Sequence, residues 1–63
     1  MLFKTYVLKL HNNGGSPRLQ PVLCKTNAEA LVKAQELLEE DSTCDAIDVL
    51  LGEAELFRVG RPG

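Results

Sequence analysis

The chain has no tryptophan, one tyrosine, two phenylalanines, one histidine, two cysteines and three prolines in 63 residues. A single histidine leaves little from which to build a metal site, and no EF-hand spacing is present, so neither a metal nor another cofactor is expected. Cys24 and Cys44 are too few for a disulfide framework and lack the C-x-x-C spacing of zinc or redox sites; they read as free, partly buried thiols. No apolar run approaches the roughly 20 residues of a membrane span. The stretch MLFKTYVLKL carries Lys4 and Lys9 within it rather than ahead of an apolar segment, so the expectation is a soluble, cytoplasmic protein with no membrane association. Acidic residues are absent from positions 1 to 26, which hold Lys4, Lys9, Arg18 and Lys25.

The remaining composition is that of an ordinary globular domain, 44% hydrophobic and 25% charged with a net charge of −2. A chain this short buries only about 60% of its unfolded surface, and its stability falls at about 3–9 kcal/mol, a range in which association helps. Its charges are segregated. All nine acids lie between residues 27 and 57, where Lys33 is the only cation before Arg58 and Arg61 return positive charge near the end, so a bipolar surface is expected.

LFKTYVLKLH is rich in aromatic, β-branched and aliphatic residues on both parities and reads as a first strand, central in its sheet. RLQPVLCKT reads as a second strand, and Pro21, which cannot donate to a ladder, puts it at an edge or at a bulge. Between them NNGGSP supplies residues tolerant of positive φ, as a hairpin loop requires. A phosphate loop would lead from its glycines straight into a helix, whereas here Pro17 and a β-like run follow.

TNAEALVKAQELLEE is a helix with a start signal: Thr26 and Glu29 have capping-box spacing, so the helix begins at Asn27. Ala30, Leu31, Ala34, Leu37 and Leu38 form its apolar face, with Glu29, Lys33, Glu36 and Glu40 opposite. CDAIDVLL alternates as a third strand, and ELFRV follows GEA as a fourth, with Phe57 and Val59 on one face and Leu56 and Arg58 on the other. The order is ββαββ. It predicts an α+β two-layer sandwich, an antiparallel-rich four-stranded sheet with one helix on one face, as a single domain over residues 1–60 with 61–63 as a frayed tail. Cys24 and Cys44 then sit at opposite ends of the sheet, and no disulfide joins them. The face away from the helix, with Leu50, Leu56 and one parity of strand one, carries enough apolar surface to predict a homodimer or a covered partner site.

Candidate functional residues are few. His11 has no serine or cysteine at a spacing that suggests a dyad and reads as an exposed strand-end histidine, so no enzyme activity is expected. Glu36, Glu39, Glu40 and Asp41 crowd the helix C-terminus, with Asp45 and Asp48 following. Negative charge there opposes the helix dipole at a cost of a few tenths to about 1 kcal/mol per group. Such a cluster serves either as a solubilising face or as a docking site for a basic protein. The second reading predicts a non-catalytic protein–protein interaction module, in its sharpest form a stoichiometric inhibitor of a nuclease or other nucleic-acid-binding protein. The alternative is RNA or DNA binding by the basic N-terminal hairpin through Lys4, Lys9, Arg18 and Lys25, with Phe3 and Tyr6 as stacking groups, although an RRM-like aromatic motif is lacking.

The segment KTNAEALVKAQELLEE, preceded by YVLKL and a glycine-rich turn, resembles the HicB-type antitoxin domain, in which a hairpin leads into a helix opening T-x-x-E-A-L-x-x-A. Thr26, Glu29, Ala30, Leu31 and Ala34 match that pattern, and the resemblance spans residues 6–38. It implies neutralisation of a small RNA-degrading toxin by a heterologous protein contact. The ββαββ order is also similar to that of short bacterial proteins of no assigned function.

Overall fold

The computed structural model describes residues 2–61, which form β1 (Lys4–Asn12), β2 (Arg18–Cys24), α1 (Asn27–Glu40), β3 (Cys44–Leu51) and β4 (Ala54–Gly60). The strands make one antiparallel sheet in the order β2-β1-β3-β4, with β1 and β3 inside and β2 and β4 at the edges. The expected α+β ββαββ fold is therefore present. Apolar residues on both parities of β1 match its central place, and Pro21 sits on an edge strand where a missing N–H is tolerated.

Both hairpins turn on glycine. In the first loop Gly15 N–H donates to the Asn12 carbonyl at 3.2 Å, and Gly14, the third residue of that turn, has φ +75°. Leu51 pairs with Ala54, so the second loop is Gly52-Glu53, with Gly52 at φ +62° as a type II′ hairpin requires of its first loop residue. A side chain at either glycine would meet open space but a strained backbone.

The helix starts where its cap predicts. Thr26 Oγ1 accepts from Glu29 N–H at 3.2 Å, while the Glu29 carboxylate accepts from Lys25 N–H at 2.9 Å, one residue earlier than a reciprocal box would place it. Ala30, Ala34 and Leu38 are buried, with Leu31 and Leu37 half-buried beside them. Small alanines let the helix approach Tyr6, Leu8, Ile47 and Val49, all fully buried on the facing sheet surface. Each such side chain contributes about 1.5–3 kcal/mol by leaving water. Tyr6 keeps its polar end satisfied by donating to Asn27 Oδ1 at 2.6 Å, and this burial removes it as a stacking group. Cys24 and Cys44 are free and buried, paired in register with Lys4 and Asn12 at opposite ends of β1.

Around β4 and the chain's end the structure departs from the sequence reading. Ladder partners shift between Val49 and Leu50, leaving Leu56 as an extra residue in β4, so that Leu56 packs against the core together with Phe57 rather than facing away. Arg61, expected in the frayed tail, closes the helix C-terminus: its guanidinium donates to the carbonyls of Cys44 at 2.8 Å, Leu38 and Asp41, and its N–H to Asp45 O. A cation thus reaches the negative end of a helix whose own last turn has none. Pro62 and Gly63, the rest of that expected tail, lie outside the described residues.

Candidate protein-binding surface

The acids that the sequence groups together are distributed over separate surfaces. Glu36 and Glu40 lie on the flank of α1 toward β2, beside Gln20, Val22 and Lys33. Glu39 lies on the opposite flank, beside Val59, Gly60 and Arg61. Asp41 ends the helix: its N–H donates to Leu37 O at 3.0 Å, and its carboxylate accepts from Thr43 Oγ1 at 2.6 Å, Thr43 N–H at 3.0 Å and Arg18 Nη2 at 2.9 Å. Those bonds, from Thr43 first and Arg18 second, hold its pKa below the ordinary carboxylate value. Asp45 is exposed at the start of β3.

Asp48 belongs to a different site. Its neighbours Ile47 and Val49 face the helix, so Asp48 points to the other side of the sheet, where it is nevertheless buried at 4% exposure. Arg58 covers it, donating through Nε at 2.7 Å and Nη2 at 3.2 Å, and His11 Nε2 lies 2.8 Å from its second oxygen. Arg58 chiefly, then His11, pull the Asp48 pKa down to about 2 against the opposing effect of burial, and the carboxylate raises that of Arg58 in return. His11 is accordingly half-buried and bonded rather than a free strand-end histidine: His11 pairs with Ala46, which makes Asp48 its diagonal cross-strand neighbour.

The basic set is no more unified. Arg18 is bonded to Asp41 across the two sequence-derived groups, Lys25 Nζ sits 5.5 Å from the Phe3 ring centroid, and Lys9 lies half-buried opposite Asp48. Lys4 is exposed at the start of β1.

A third surface was only partly legible. Register puts Val7 between Pro21 and Leu50 on the sheet face away from α1, with Leu19 and Leu23 flanking Pro21 on the same parity. Leu19 and Leu23 are each 66% exposed. The period-two pattern L-x-P-x-L carries that signal, but it requires knowing that Val22 and Cys24 form the inward parity. The charged side of the same face holds Lys9, Arg58, Asp48 and Glu55, whose formal charges cancel.

Among the described residues, no group of three or more histidine, cysteine, aspartate or glutamate side chains is placed to hold a metal ion, and no helix is long and apolar enough to cross a membrane. Comparison of the chain with protein-family models, with curated proteins and with solved structures gives no match.

Proposed function

We propose that this chain is a non-catalytic, cytoplasmic protein-binding module that pairs with a second copy through the open sheet face and presents an acidic flank to a basic protein. The carrying observation is the strip formed by Val7, Leu19, Pro21, Leu23 and Leu50, with its two most prominent leucines two-thirds exposed. A second copy suits this face because its charges cancel and the strip lies off-centre, toward β2, so that a two-fold axis brings apolar half against apolar half. Four strands at about 4.8 Å spacing present roughly 450–500 Å² of projected face, so two stacked copies cover roughly 900–1,000 Å² in total, the size of a weak, concentration-dependent interface.

Absolute mass by light scattering across protein and salt concentrations tests the pairing. A dimer that resists salt, and that becomes a monomer on combined Leu19→Lys and Leu23→Lys substitution, is the expected result; a wild-type monomer at every concentration overturns it.

The partner reading takes its sharpest form as stoichiometric inhibition of a nuclease or other nucleic-acid-binding protein, in the manner of an antitoxin or phage inhibitor. Glu36 and Glu40, on the flank of α1 toward β2, supply its acidic groups. The rival reading, RNA or DNA binding by the N-terminal hairpin, draws less support: Arg18 is committed to Asp41, Lys25 to Phe3, and Tyr6 is buried.

A further inference from the structure

We propose that the groove between β2 and α1 receives an extended basic segment of a partner protein, added as a further strand along the free edge of β2. This rests on the reading of the chain as a protein-binding module and specifies the partner's chemistry at one site.

The groove lies where the inner side of β2 is incompletely covered: Cys24 is buried, but Val22 is half-buried and Gln20 exposed. Two hollows of about 310 and 410 Å³ lie there, with Lys33 common to both and Leu23, whose parity is that of the open face, bordering both from the strand edge. The first is apolar, lined by Leu23, Cys24, Ala28 and Val32; the second is flanked by Gln20, Glu36 and Glu40. The Arg18–Asp41 ion pair bridges β2 and the helix end beyond the second hollow.

The edge itself has hydrogen bonds to offer. Pro21 is held within the β1 register opposite Val7, so its missing N–H belongs on the side away from β1. Residues of one parity direct their N–H and C=O groups to the same side of a strand. Leu19 and Leu23 therefore present both groups outward, and Pro21 a carbonyl alone. An added strand gains ladder bonds on either side of Pro21 and loses one at its centre.

Charge selects the occupant. Glu29, Glu36 and Glu40 line the two hollows against Lys33 alone, so a second copy brings like charge to like and a nucleic-acid backbone is repelled. An extended peptide with an apolar side chain near Val32 carries its next same-side residues about 7 and 13 Å further on, close to the one-turn and two-turn spacing of Glu36 and Glu40 along the helix. The recognised pattern is thus an apolar residue with lysine or arginine two and four positions away.

The test uses the full chain and labelled peptides of about ten residues, long enough to span β2. They alternate Thr and Val around one Leu, with Lys, or in the control Glu, at the second and fourth positions beyond it. Fluorescence anisotropy at low salt should show binding of the Lys peptide, and roughly tenfold weaker binding after combined Glu36→Lys and Glu40→Lys substitution. Glu39→Lys, on the other flank, should leave it unchanged. N-methylation of peptide amides of one parity should abolish binding, and of the other parity should not. Failure of the Lys peptide to bind overturns the inference. Equal losses from Glu39→Lys and the groove variant overturn it in favour of diffuse charge attraction, and equal effects of both methylation patterns overturn the added strand. Light scattering on the same samples reads the open-face dimer separately: a persistent dimer without peptide binding removes the groove alone, and peptide binding by a monomer removes the sheet-face pairing alone.

Discussion

The two edges of this sheet are finished in opposite ways. At β4 the helix is close, Leu56, Phe57 and Val59 are half-buried, Arg58 is bonded to a buried carboxylate, and Arg61 ties the strand's end to the last carbonyls of α1. At β2 Val22 and Cys24 pack inward, but the outward leucines Leu19 and Leu23 are exposed, and one exposed ion pair, Arg18–Asp41, links the strand to the helix end. An exposed apolar edge is a liability unless it is blunted or used. Pro21 blunts it at one position only, so the partner contacts proposed above fall on β2 rather than β4.

The contrast can be broken most strongly at Asp48. Because its pKa is lowered from 3.8 to about 2, its stabilising contribution is complete above about pH 4 and is lost as pH falls toward 2. That contribution is about 2 kcal/mol. Urea melts from pH 2 to pH 7 should show this acid loss in the wild type, and Asp48→Asn should lower neutral stability by a similar amount and flatten the acid limb. Next comes Arg61→Ala, which removes the closure at the β4 end and should cost about 1–2 kcal/mol in the same assay. Thr26→Ala removes the cap at the opposite end of the helix, close to the end of β2, at about 1 kcal/mol, visible as a lower thermal midpoint with unchanged mass in solution. The smallest effect on stability belongs to Leu19→Lys with Leu23→Lys: within about 0.5 kcal/mol for the folded chain, as exposed positions allow, but with loss of the dimer. A large destabilisation by that pair would mean β2 is as integral to the packed core as β4, and the contrast between edges would vanish.

The elements themselves were legible because each rests on local chemistry. Thr26 and Glu29 announce the helix start, Gly14 and Gly52 the two turns, and Pro21 the edge. Leu56 was misread because a bulge in β4 breaks the period of two on which its outward assignment depended. The candidate site was less legible, since charge clustering along a chain does not survive folding. Helical rotation sends Glu39 to one flank and Glu36 and Glu40 to the other, and strand alternation puts Asp48 on the far face. The bonds of Arg18 to Asp41 and of Arg61 to the helix end join residues about 20 positions apart, and no local pattern encodes them.

The sheet order also governs how the chain can assemble. Strand β1 pairs with its immediate successor on one side and on the other with β3, where Tyr6 meets Leu51 and Leu10 meets Ile47. The first hairpin closes within microseconds, but the second pairing must close a loop that includes the whole helix. Contact order is thus concentrated in a single ladder, and β1–β3 docking is the step expected to limit the folding rate. Until it is complete, β1 has an open edge and the apolar faces of Tyr6, Leu8 and Leu10 await their cover. Substitutions in that ladder, such as Ile47→Val, should therefore slow refolding, whereas changes at the β2 edge should leave the refolding rate almost untouched.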